Sequence, residues 1–350
     1  MLTSVDALVP LLLIASICFV VAILWTPSFI RLLKKYRMGK SIRDASAAPV
    51  MANLHAAKAG TPTMGGVVIW ATVGIVVAAF AFGCSVLGVR PACELNFLSR
   101  GQTFLPLGAF FAAAVVGLLD DYLNVRRIGP RGGGLRVRHR LLSYTFIALV
   151  AAWWFYTKLS WDIIHVPFVG DVPLGLWYVP FFAFVLVATS HSVNVTDGLD
   201  GLAGGTLLAA FGAYGAIAFS AGKFDLAALC AAVFGALLAF VWHNVTPAAF
   251  FMGDTGAMAL GTLLGVTAML TNQPLLLPLI GLPFVVESGS VLVQVASKKL
   301  RRGKKLFRSS PLHHHLEAIG WGEPKIVMRF WVISFVAAWI GTVIALVDRS

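Results

Sequence analysis

Apolar residues fall in ten long runs along the chain, separated by polar stretches. The runs cover roughly 7–30, 62–83, 104–119, 141–159, 176–193, 201–221, 226–242, 256–271, 275–296 and 327–347. Each approaches the roughly 20 residues that a helix needs to cross a bilayer core. The pattern predicts an all-α polytopic membrane protein with ten transmembrane helices, forming one integral membrane domain over residues 1–350. The remaining residues are too few for a separate soluble domain. Two interruptions stand out. The stretch around 160–175, with its weak alternation and Gly170-Asp171 turn, predicts a small outer hairpin. Inside the ninth run, Pro278, Gly281 and Pro283 predict a broken or bent helix, in which Glu287 is an acid within a span.

Composition removes the alternatives. Of 350 residues, 59% are hydrophobic and 12% charged, and the mean hydropathy is +0.86. A soluble globule and a disordered chain are both excluded. The net charge of +12 would suggest nucleic acid in a soluble protein. In a membrane protein it reports topology instead, and no nucleic-acid partner is expected. The connections after the first, third and ninth runs, counted into the start of the tenth, hold 22 of the 27 Lys and Arg. That bias places these connections in the cytoplasm and both termini in the periplasm. The first run ends in Arg31, Lys34 and Lys35 without a small-residue cleavage site, so it reads as a span and not a cleaved signal. Cys18, Cys84, Cys93 and Cys230 have no CxxC spacing and are too sparse for a zinc site or disulfide scaffold. Cys84 and Cys93 share one loop, which leaves a bridge between them open.

Five acids, Asp120, Asp121, Asp197, Asp200 and Asp254, sit at the cytoplasmic ends of spans, where ionisable groups are costly unless they have a function. Asp120 and Asp121 point about 100° apart on a helix, so they cannot share one task. Two acids at a helix C-terminus also oppose the macrodipole, which argues against a merely solvated end. In Asn194-Val-Thr-Asp197-Gly-Leu-Asp200-Gly201, the two acids share a face of a helical turn. The glycines admit a ligand close to the backbone, although one Asp can instead cap the next helix. Asp254 starts the eighth run and is either its cap or a metal anchor where a helix N-terminus holds phosphate. Phe250 and Phe251 beside it are expected to be exposed and able to stack on a flat base. His313, His314 and His315 fan out by about 200° and cannot close on one zinc ion. Imidazoles on a basic loop suit phosphate contact or proton transfer. The run from Lys58 to Gly66, KAGTPTMGG, resembles a backbone nest for an anion with Lys58 as countercharge. The run Lys298–Lys305 reads as topology and attraction to anionic lipid. Carboxylates without thiolates suit Mg²⁺ together with a phosphate ligand. The residues therefore suggest phosphoryl chemistry between a soluble nucleotide and a lipid.

The motifs GTPTMGG, DDY, NVTDGLDGLAGG, FMGDTGAMALG, PLHHHLE and GWGEPKIVMRFW occur in order from about residue 55 to 335. Together they closely resemble the phospho-N-acetylmuramoyl-pentapeptide transferase family of the polyprenyl-phosphate N-acetylhexosamine-1-phosphate transferase superfamily. The resemblance implies ten helices, a cytoplasmic active site, Mg²⁺, a homodimer and residence in the bacterial inner membrane. It implies transfer of phospho-N-acetylmuramoyl-pentapeptide from its UDP conjugate to undecaprenyl phosphate, giving lipid I and UMP. By the same resemblance Asp254 is the Mg²⁺ ligand, Asp120 and Asp121 deprotonate or bind the carrier phosphate, and Asp197 belongs to the catalytic cluster. Asp200, Asn244 and Phe251 match positions that hold the uridine, with Phe251 stacking on uracil. Lys58, Thr63, Asn194, Gln294 and His313, His314 and His315 match further positions of the pocket. A bend in the ninth span would open a groove for the lipid tail.

Two positions depart from the family pattern. Asn124 stands where many members carry Lys, followed by an Arg-rich stretch of Arg126, Arg127, Arg131, Arg136, Arg138 and Arg140. A nearby Arg can replace the charge but not the geometry. Ser310 stands where members often have Ala. Two rival readings remain. A sister enzyme using UDP-N-acetylglucosamine would share the Asp cluster, but the unbroken triple His and the GTPTMGG start favour the muramoyl-pentapeptide. A transporter or lipid flippase would place its charges near the bilayer midplane in duplicated halves, whereas these acids gather at one surface.

Overall fold

The computed structural model describes residues 4–39, 58, 60–130 and 133–348. A helix occurs at each of the ten expected positions. In order they are α1 (Ser4–Lys35), α2 (Gly66–Ser85), the short α3 (Arg90–Glu94), α4 (Phe104–Val125), α5 (Val137–Lys158) and α6 (Tyr178–Thr196). There follow α7 (Leu202–Ser220), α8 (Phe224–Asn244), α9 (Asp254–Leu270), α10 (Leu277–Ile280), α11 (Leu282–Leu300), the short α12 (Leu312–Ala318) and α13 (Glu323–Val347). Among the described residues seven helices are long and apolar enough to cross a membrane, or eight when α10 and α11 count as one bent span. That count is smaller than ten for two physical reasons. α5 starts with Arg138 and Arg140 and carries Trp153 and Trp154, which dilute its apolar character. α9 has only 17 residues, or about 26 Å of helix.

α9 is the centre of the bundle. Every residue from Thr255 to Leu270 is buried, against α4, α6, α2 and α7. Polar side chains knit this core: Ser190 Oγ donates to Met258 O at 3.0 Å, and Thr255 Oγ1 donates to Ala114 O at 2.8 Å. The ninth run is broken as its Pro and Gly residues require, with an 82° bend between the Pro274–Ile280 and Leu282–Leu300 segments.

α2 begins beside the loop preceding α9 and ends at the opposite end of the bundle. There Cys84 and Cys93 form a disulfide, with Cα atoms 4.6 Å apart. The expected hairpin is present as β1 (Ile163–Val166) paired antiparallel with β2 (Gly170–Pro173), from Ile163 opposite Pro173 to Val166 opposite Gly170. His165 ties this hairpin down. Its backbone N–H donates to Asn272 Oδ1 at 3.0 Å, its Nδ1 lies 2.7 Å from Asp171 Oδ1, and its Nε2 bonds to Asp348 at the end of α13. Burial lowers the His165 pKa, but hydrogen bonds to Asp171 and Asp348 and their charges outweigh it, so the net shift is upward. A raised folded-state pKa contributes stability that is complete below the unfolded value and disappears as pH rises through the folded value. The melting-temperature advantage of the wild type over His165→Gln is therefore expected to be larger near about pH 5 than near about pH 9. Equal differences in detergent melts at both pH values would remove the ionic part of this clasp.

Candidate active site

The start of α9 has no side-chain cap of its own. Its amides are met from another helix. Asp121, in the last turn of α4, accepts Asp254 N–H at 3.1 Å on one oxygen and Thr255 N–H at 3.0 Å on the other. Two acids that oppose the dipole of their own helix thus sit close to the favourable end of a second one. Gly253 makes this possible. Its φ is +74°, and a Cβ there would stand 2.4 Å from Asp121 Oδ2 and 2.9 Å from Thr63 Oγ1.

With Asp121 as the cap, Asp254 is not its own helix's cap, and that reading of its side chain is corrected. Asp254 Oδ1 accepts from Asn194 Nδ2 at 2.7 Å. Its Oδ2 lies 2.5 Å from Arg140 Nη1, and the same nitrogen is 3.2 Å from Asp120 Oδ2. Asp120 Oδ1 also accepts Leu135 N–H. Arg140, at the start of α5, is the arginine of the Arg-rich stretch seen to pair with these two acids, and Arg131 lies outside the described residues. One guanidinium is thus held between the Asp120 and Asp254 carboxylates. Their hard oxygens fit Mg²⁺, which needs only one or two carboxylates. Among the described residues no three His, Cys, Asp or Glu are grouped as a metal cage. His191, one turn before Asn194 on α6, lies within the field of Arg140 and Asp254.

A second cluster forms around Lys58. Its Nζ is 2.6 Å from Asp200 Oδ1 and 2.5 Å from Glu323 Oε1. Asp200 Oδ2 accepts Ala248 N–H at 3.1 Å. Asn244 joins the same turn, accepting Gly201 N–H at 3.0 Å and donating to Phe250 O at 2.8 Å. Two carboxylates about one ammonium leave this cluster net negative, so Lys58 does not stand as countercharge to an anion. The expected nest is also corrected. Thr61, Thr63, Gly65 and Gly66 give their amides to Lys58 O, Met38 O, Phe251 O and Met252 O. The bonds of Gly65 and Gly66 fasten the start of α2 to the loop before α9. Phe250 is fully buried against Phe240, which corrects its expected exposure. Phe251 is half-buried.

The remaining expected residues separate. Thr63 is buried with its hydroxyl unpartnered. Asp197 ends α6, half-buried. Of the three histidines only His313 turns inward, with Nδ1 2.9 Å from the buried Glu287. Its Nε2 has no partner and faces Gly198, where a Cβ would come within 2.2 Å. His314 pairs with Glu317 at 2.8 Å, and His315 accepts Arg308 N–H at 3.2 Å. Among the described residues Gln294 bonds to the backbone of Leu306 and Phe307 and to neither cluster. It holds the loop after α11 by accepting Leu306 and Phe307 N–H and donating to Phe307 O. The sequence reading gave no role to Glu323, because an acid in a first helical turn looks like an ordinary dipole partner. Arg140 was one of six arginines with no mark to single it out.

Fold and clusters define a class: a polytopic helical membrane protein with carboxylate–cation centres at one end of its bundle. Residues 103–272 match the family described as glycosyl transferase family 4. Residues 58–69 match phospho-N-acetylmuramoyl-pentapeptide-transferase signature 1. The phospho-N-acetylmuramoyl-pentapeptide-transferase of Chloroflexus aggregans is 38% identical over 97% of this chain and 90% of its own length. The proteins of that name from a Geobacillus species and from Bacillus anthracis are each 39% identical, over 92% and 95% of this chain and 94% and 96% of their own lengths. The chain belongs to the phospho-N-acetylmuramoyl-pentapeptide-transferase family.

Because Asp121 alone meets two amides, Asp121→Asn puts an NH₂ group against one of them. It is expected to lose about 1–2 kcal/mol of stability, the usual worth of a cap. Thermal unfolding in detergent measures this, and a wild-type melting temperature in the variant would contradict the capping role.

Proposed function

We propose that this chain transfers phospho-N-acetylmuramoyl-pentapeptide from UDP-N-acetylmuramoyl-pentapeptide to undecaprenyl phosphate, giving lipid I and UMP. The observation that carries the proposal is the near-full-length identity to transferases of that name. We read it as a homodimer of the bacterial inner membrane with ten crossings, both termini periplasmic and the two clusters facing the cytosol. The Lys and Arg bias supports that orientation. So does a disulfide at the far end of the bundle, since disulfides persist in oxidising compartments.

An oxygen of the carrier phosphate attacks the sugar-linked phosphorus. A new P–O bond forms, the bond to the uridine-bearing phosphate breaks, and UMP leaves. One phosphoanhydride replaces another, so no ATP is needed. Arg140, beside Asp120 and Asp254, would donate hydrogen bonds to the phosphates. Asp120 is placed to accept a carrier-phosphate proton. Asp121 spends both oxygens on amides of α9, which favours direct attack over a phospho-enzyme at that residue. Asp254, with Asp120 beside it, would hold Mg²⁺. Bound there, Mg²⁺ would offset the repulsion between two anionic substrates. Asp197 and the histidine loop, His313, His314 and His315, would complete the catalytic side. Lys58, Thr63, Asn194, Asp200, Asn244 and Phe251 form the nucleotide side, with Gln294 holding a wall of the pocket.

Purified protein incubated with the UDP-sugar, the carrier lipid and Mg²⁺ is expected to release UMP. UDP-N-acetylglucosamine in place of the muramoyl substrate is expected to release none. Asp254→Asn should fold like the wild type, because the cap is elsewhere, yet lose turnover by about two or more orders of magnitude. Near-normal turnover in that variant would return Asp254 to a structural role. Phe251→Ala should weaken UDP-sugar binding about 5- to 150-fold, the range for one base–aromatic stack, and leave the KM for carrier lipid unchanged. An unaltered KM for the UDP-sugar rules out the stack.

A further inference from the structure

Glu323 stands at the first turn of α13, far in sequence from both residues that it touches. Its Oε1 accepts Lys58 Nζ at 2.5 Å and the backbone N–H of Asp200 at 2.7 Å. One oxygen thus joins three distant segments: the approach to α2, the turn between α6 and α7, and the start of α13. The same turn is gripped a second time from α13, where Trp331 Nε1 donates to Gly201 O at 3.0 Å. Asp200 is buried and Lys58 partly so. Removing Glu323 leaves the Lys58 ammonium with one carboxylate in place of two, and leaves the Asp200 amide without this acceptor.

We infer that Glu323 is a positioning residue for the nucleoside end of the substrate, holding Lys58 and the Asp200 turn in their binding geometry. The inference rests on the proposed transferase reading and adds a residue to it. Its electrostatics agree. The one ammonium of this cluster is spent on two carboxylates, which suits contact with the uncharged base and ribose. Glu323 touches no reacting atom in this arrangement. Its loss should therefore appear in binding more than in turnover.

The test compares Glu323→Ala, Glu323→Gln and Glu323→Asp with the wild type in UMP release, in UMP affinity by calorimetry and in thermal unfolding. Glu323→Ala is expected to raise the KM for the UDP-sugar and the Kd for UMP about 10- to 100-fold. Its kcat should change by less than about threefold, and its KM for carrier lipid should not move. Glu323→Gln keeps an acceptor oxygen for the Asp200 amide and should recover part of the lost affinity, with a wild-type melting temperature. Should Glu323→Ala fail to fold, the isosteric Gln variant and the Asp variant carry the comparison. UMP affinity within twofold of wild type in a folded Gln or Asp variant, together with unchanged affinity in any folded Ala variant, overturns the inference. So does a loss confined to kcat or to melting temperature. A wild type that neither releases nor binds UMP overturns the transferase reading and this inference with it, and is told apart by the wild-type control alone.

Discussion

Two amide protons at the start of a buried helix need acceptors, and Asp121 supplies both. An unmet buried amide costs about 1–3 kcal/mol, so this contact fixes where the end of α4 and the start of α9 meet. Much else follows from that junction. Asp254 is relieved of capping and can turn its carboxylate to Asn194 and Arg140. Asp120, one residue before the cap and rotated by about 100°, faces the same guanidinium. Gly253 must lack a side chain to let the carboxylate in. Structure and chemistry are thus divided between adjacent acids.

The two clusters share a charge balance, one cation between two carboxylates, and differ in the kind of cation. At one, a guanidinium lies between two carboxylates beside the start of α9. At the other, an ammonium lies between two carboxylates on the turn between α6 and α7. The loop before α9 links them, pinned to the start of α2 by Phe251 and Met252 backbone bonds. In the proposed reading the Lys58 cluster takes the nucleoside, because Asp200, Asn244 and Phe251 resemble the family's uridine-holding positions, and the Arg140 cluster takes the phosphates.

Much of this was legible in the sequence. The ten apolar runs, the hairpin and the break at Gly281 are written in local composition, which needs no tertiary information. The acids could be placed at one end because successive spans alternate direction, so their order alone assigns each connection to one end or the other. What could not be read was which group meets which. Asp121 and Asp254 are separated by 133 residues, and an acid beginning a helix looks like that helix's cap whether or not a distant acid has taken the role. The glycine-rich start of α2 looked like an anion nest because φ freedom shows in sequence, while the carbonyls that occupy its amides do not. Lys58 looked like an anion ligand for the same reason: its second partner, Glu323, lies 265 residues away. Phe250 and Phe251 are identical by type, and only packing against Phe240 buries one of them.

The enclosure of α9 has a consequence for how the protein meets its surroundings. From Thr255 to Leu270 its wall is protein on all sides, so its 17 residues answer to neighbouring helices and not to lipid. Hydrophobic mismatch acts on helices that face acyl chains, through tilt and local thinning. The outer helices absorb that adjustment, and the helix that carries Asp254 is shielded from it. The depth of the Arg140–Asp254 cluster is then set inside the protein, and a thicker or thinner bilayer tilts the periphery before it moves that cluster.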